Sequence, residues 1–176
     1  MSSAVPKDLA PPALLSGTDF DAFVLRTAAQ QQLDGIRTDF RSRLTEDDRK
    51  IEQYAALVHK IVSDLIVLMQ ASRLPDPEEL IQSLLASERE EQARAVDVEK
   101  RAAAALRSLA PGRLYATPFL NEVRDELVSR AHRMAELHRD ARWRLMRARA
   151  EYLPSKGVGP IHGEPTDLDE YAKTVG

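Results

Sequence analysis

Residues 51 to 69 read IEQYAALVHKIVSDLIVLM. Ile51, Tyr54, Val58, Ile61, Leu65 and Leu68 stand at gaps of three, four, three, four and three. That is the a/d spacing of a helix whose apolar stripe must be covered by other helices. Extended outward, the seam runs from Leu33 to Leu74, and its frame leads back from Ile51 through Leu44, Phe40 and Leu33, with Asp47 and Arg37 as polar intrusions. Thr45-Glu46-Asp47-Asp48 has the residue types of a new helix cap. Because the frame survives across it, one long helix is expected, with Thr45 the natural place for a bend. From Leu65 to Met69 every residue is apolar, so this end needs neighbours on more than one face, from the rest of the chain or from another subunit.

Outward from this helix, proline marks the boundaries. Leu74-Pro75-Asp76-Pro77 is expected to end the first helix, since a residue before proline is pushed out of the α region. Asp76 as N-cap, Pro77 at N1 and Glu79 at N3 then open a second. Its stripe is Leu80, Ile81, Leu84 and Leu85, which the short turn should fold back on the apolar end of the first helix. Ser87 to Arg94 is polar on nearly every side, and Ala95, Val98, Ala102, Ala103, Leu106 and Leu109 resume the apolar face. Ala102 to Ala105 reads either as plain helix propensity or as small side chains that permit close approach. Ala110-Pro111-Gly112 closes this helix. After a loop, Thr117 and Pro118 open a third, with a seam of Leu120, Val123, Leu127, Met134, Leu137, Ala141 and Ala148 broken by Arg130 and Arg144. Helices two and three should each be about 50 Å long at 1.5 Å per residue.

The ends read differently. Residues 1–17 hold three prolines around Ala13-Leu14-Leu15 and are expected to form a flexible arm. The alternative is that Leu9 to Leu15 is a short linear motif that docks on a partner's groove. Helix should begin at Thr18, with Asp19 and Asp21 in its first turn. Residues 154–176, rich in proline and glycine at first, are expected to form a flexible tail, with Thr166 to Ala172 patterned as a short helix.

The totals suit a single helical domain. Ala, Leu, Glu, Arg and Lys make up close to half of the 176 residues, and aromatics only 5%, the balance of long helices and coiled coils. Without cysteine there is neither a disulfide nor a thiolate ligand, so the cytoplasm or another reducing compartment is expected. Ser63 and Asp64 interrupt the most apolar stretch, so no membrane span is expected. A net charge of -3 gives no general attraction to nucleic acid.

Charge predicts the packing. Asp76 to Glu99 carries eight acids and two arginines, whereas Arg130 to Arg149 carries seven arginines and two acids. Folding helix three antiparallel to helix two brings Glu88, Glu90 and Glu91 roughly level with Arg133, Arg139 and Arg142.

Chemistry is sparse. None of His59, His132, His138 and His162 has an acid three residues before it, and no two stand four apart, so neither a di-iron nor a helical zinc pattern is present. His132, Glu136 and Asp140 fit a solvated polar ladder. Gly157 to Gly163 lacks the spacing and the following helix of a phosphate loop. We therefore expect no enzyme, no cofactor and no metal site.

The expected object is all-α: an elongated antiparallel three-helix bundle, coiled-coil-like, over residues 18–153. Its expected role is a non-enzymatic structural or interaction subunit, a rod that self-associates or binds protein through Ile61, Leu65, Ile66, Val67, Met69, Leu80 and Leu84. One alternative is a nucleic-acid-binding module using Arg133, Arg139, Arg142 and Arg147, with Trp143 as a stacking ring. Another is a small secretion or assembly chaperone.

Overall fold

The computed structural model describes residues 9–14, 33–108 and 116–153. These contain three helices and no strand: α1 Leu33–Gln70, α2 Glu78–Ser108 and α3 Ala116–Tyr152. The helical start at Thr18, the stop at Ala110-Pro111-Gly112 and the 154–176 tail lie outside the described residues.

Cross-helix pairs fix the directions. Arg41 with Glu122, Asp48 with Arg130, Ser63 with Arg144 and Gln70 with Tyr152 follow the same order along both helices, so α1 and α3 run parallel. Glu88 with Arg142 and Asp76 with Arg149 follow opposite orders, so α2 is antiparallel to α3. The result is the expected up-down-up rod, with α1 and α3 about 55 Å long. The central helix is α3: both others pack on it and hardly approach each other. The Leu80 to Leu85 stripe reaches the apolar end of α1 as expected, while its helix packs mainly on α3. Ile81 and Leu84 share a core with Val62 and Met69, and Met134 and Leu145 of α3, with Leu153 just past its end, belong to the same core.

The buried stripe of α1 is Phe40, Leu44, Asp47, Ile51, Tyr54, Val58, Val62 and Met69. It leaves the heptad after Val58. Ile61 is half-buried and Leu68 is 39% exposed, where the heptad put both inside. The recurrences 40/51/62 and 47/58/69 are eleven-residue steps, close to the natural turn of a straight helix, which drifts by about 20° per heptad from a 3.5 repeat. In α2 the heptad holds throughout: Ile81, Leu84, Glu88, Glu91, Ala95, Val98 and Ala102 are all buried. Two glutamates therefore occupy core positions in a stretch whose composition alone suggests a solvated face.

Thr45 sits inside α1, and its hydroxyl donates to the Arg41 carbonyl. The helix passes through without a new cap. It ends earlier than its prolines require. Arg73 N–H donates to the Leu68 carbonyl and Ser72 N–H to that of Met69, with Ser72 at φ 55°, a Schellman closure with serine in the left-handed position. Asp76 does not cap α2: its carboxylate accepts from Arg149 at 2.8 Å, while the Pro77 carbonyl accepts the first helical bond, from Ile81.

Buried apolar residues form two clusters. One gathers Phe40, Leu44, Val98, Phe119, Leu120, Val123 and Leu127. The other holds Ile51, Val58, Val62, Met69, Ile81, Leu84, Met134 and Leu145. Between them all three helices turn polar at one level, with Asp47 on α1, Glu88 and Glu91 on α2, and Arg130 on α3.

Candidate functional site

The polar level is built from buried charges that meet partners. Glu88 accepts from Arg139 Nε at 2.9 Å and from Arg142 at 3.0 Å. Here the expected acid and arginine blocks meet, although Arg133 turns instead to Asp48 of α1, at 2.6 Å. Arg130 joins Asp48 and Glu126. Glu91 has Arg94 at 3.2 Å, but its Oε2 is buried without a hydrogen-bond partner. Burial pushes the Glu91 carboxyl above its ordinary pKa, with Arg94 opposing and Glu90 reinforcing. Buried pairs of this kind fix register more than they stabilise, since desolvation consumes most of the attraction.

One helical turn away, His138 is fully buried and its Nε2 lies 2.8 Å from the Tyr54 hydroxyl. That hydroxyl donates its single proton to the Leu9 carbonyl at 3.0 Å. The shared Nε2 must therefore carry the imidazole proton, leaving Nδ1 bare and without a partner. Burial lowers the His138 pKa to about 4, against the opposing pull of Glu88. Tyr54 is pushed up to about 12 by burial and by Glu91, so both groups are neutral at pH 7.

The third partner in that chain of bonds belongs to the amino-terminal arm. Residues 9–14 lie on the helices: Leu9 is buried in the core, Leu14 packs half-buried against it, and Ala10, Pro11 and Ala13 face solvent. Leu14 also borders a small void together with Asp47 of α1, Glu91 and Arg94 of α2, and Leu127, Arg130 and Ala131 of α3. The arm thus spans the groove that α1 and α2 leave open above α3. Two leucines and one hydrogen bond, together about 4 to 7 kcal/mol, hold it against an ordering cost of at least about 6 kcal/mol for six residues, so the seat is weak.

The residues expected to meet a protein partner divide. Met69 and Leu84 are core; Ile61, Leu65, Ile66 and Leu80 are half-buried against that core; Val67 is 61% exposed, with Leu68 beside it. The four arginines expected to meet nucleic acid divide as well. Arg142 is buried on Glu88, Arg139 and Arg133 hold acids while half-exposed, and Arg147 is exposed. Trp143 is buried with the Arg142 guanidinium 4.9 Å from its ring, so it offers no open face for a base. Among the described residues no three His, Asp or Glu side chains come together as a metal would need.

Sequence reasoning placed Tyr54 on the buried seam and offered Leu9 to Leu15 as a docking motif beside the expected flexible arm, but it missed the bond from Tyr54 to His138 and the seating of residues 9–14 on this chain's own helices; Glu88 and Glu91 fall on the heptad frame of Leu84 and Ala95 once it is extended. Fold and groove together define a helical rod with a polar-centred core and a segment of its own chain laid across it. No family model, curated protein or solved structure matches the chain. None of its described helices is long and apolar enough to cross a membrane.

Proposed function

We propose that the chain is a non-enzymatic helical subunit that binds a second protein, or another copy of itself, through coiled-coil-type apolar faces at the end where α1 turns into α2. The observation that carries this reading is exposed Val67 and Leu68 beside half-buried Ile61, Leu65, Ile66 and Leu80. Partly covered leucine and isoleucine ringed by polar side chains is the composition of a protein contact. A cytoplasmic or other reducing setting suits a chain with no cysteine. The arginines of α3 favour no separate nucleic-acid reading, because Arg133, Arg139 and Arg142 already face acids.

The test is capture of a stoichiometric partner from the native source, with light scattering for self-association, using wild type and a Val67→Asp/Leu68→Asp chain. Loss of the complex with helicity intact is expected. Unchanged capture and unchanged mass would remove this surface from the account.

A further inference from the structure

The groove between α1 and α2 has the form of a binding site already holding an occupant. Its floor is α3, through Leu127 and Ala131, and its walls are Asp47 on one side and Glu91 and Arg94 on the other. The two walls cannot close on each other, because α1 and α2 are each fixed to α3 and hardly meet. Residues 9–14 lie along this groove, and Leu14 borders the small void left in it. Leu9 is buried deeply, its carbonyl accepts from Tyr54, and Leu14 rests over the polar level five residues further on. Between these two anchors Ala10, Pro11 and Ala13 face water and Pro12 is half-buried, and the two prolines keep the stretch from joining a helix.

An occupant held so lightly is exchangeable. Were it to leave, the Tyr54 hydroxyl would lose its acceptor and two leucine seats would open. Those are the features that recognise an extended peptide: a main-chain hydrogen bond and spaced apolar sockets.

We propose that this groove is a peptide-docking site closed in cis by Leu9 to Leu14, and that its partner is an extended protein segment with two leucines five residues apart and proline between them. The arm is then an internal competitor. It lowers the apparent affinity of the groove by the fraction of time it is seated. This surface is separate from the Val67–Leu68 end, so either can fail without the other.

The experiment uses the full chain and a fluorescent peptide of residues 7–16, KDLAPPALLS, read by anisotropy. A Leu9→Asp/Leu14→Asp chain should bind the peptide about 10-fold more tightly than wild type, as expected for an arm seated roughly nine-tenths of the time. Adding Tyr54→Phe to that chain should weaken binding again. Equal affinity for both chains, or no binding to the double variant while circular dichroism shows it helical, overturns the proposal. So does a wild-type dimer that the double variant abolishes, since the arm would then join two copies. A second arm does not depend on the folding of that variant. Leu14→Cys and Arg94→Cys, joined by a cleavable bismaleimide, should block the peptide until the tether is cut; binding that ignores the tether also overturns the proposal.

Discussion

His138 offers the sharpest test of the polar core. Its Nε2 proton is committed to Tyr54, and a second proton would have to sit on Nδ1, which is buried without an acceptor. The pKa therefore falls from an ordinary 6.5 to about 4 in the folded chain. A depressed folded pKa contributes stability that is fully present above pH 6.5, where neither state binds the proton, and lost as pH falls towards 4, because the unfolded chain takes up the proton first. At 1.36 kcal/mol per unit the loss is about 3 kcal/mol, or about 6 to 12 °C in melting temperature for a chain of this size. Glu91, with its pKa raised, works in the opposite direction across the carboxylate range. A His138→Gln chain, which keeps a donor towards Tyr54 but cannot titrate, separates the two. Denaturant unfolding of both chains at intervals from pH 7.5 to 4, followed by helical ellipticity, gives a difference curve in which Glu91 cancels. Wild type should lose about 3 kcal/mol relative to the variant between pH 6.5 and 4. A flat difference curve would mean that the imidazole reaches water, and the derivation of its neutral tautomer would fall with it.

Two further outcomes follow from the same geometry. Glu88→Ala leaves Arg142 buried without its acid, which should cost about 3 kcal/mol, whereas replacing Glu88 and Arg142 together by leucine should cost far less; equal losses in denaturant melts would show that the pair does not act as a unit. Ser72→Gly removes a left-handed serine from the closure of α1 and should raise stability by roughly 0.5 to 1 kcal/mol, with a lowered melting temperature counting against that account of the turn.

The chain's helical nature, its helix count and its direction of folding were open to sequence reading, because they rest on local periodicity, on proline and on blocks of charge. The Ile51-Tyr54-Val58 spacing requires a covered helix. The acids after Asp76 and the arginines after Arg130 require antiparallel neighbours, and Glu88 meets Arg139 and Arg142 as that charge pattern demands. What lay beyond reach depended on which helix sits in the middle. A heptad does not say whether its partner is α1, α2 or α3, and a strict repeat hides the slow drift that moves the stripe from Ile61 and Leu68 to Val62 and Met69.

Burial of polar side chains is likewise a three-body property. Glu91, Tyr54 and His138 look like ordinary solvated or core residues until the packing of all three helices buries them. Leu9 and Leu14 illustrate the same limit: the sequence marks Leu9 to Leu15 as a segment able to dock, but a proline-broken arm carries no periodicity to say that its seat is on its own helices. Local spacing therefore determined the elements of this protein. Only tertiary packing decided which charges lose their water and which groove the chain covers with its own arm, because both depend on surfaces that arise only when all three helices stand together.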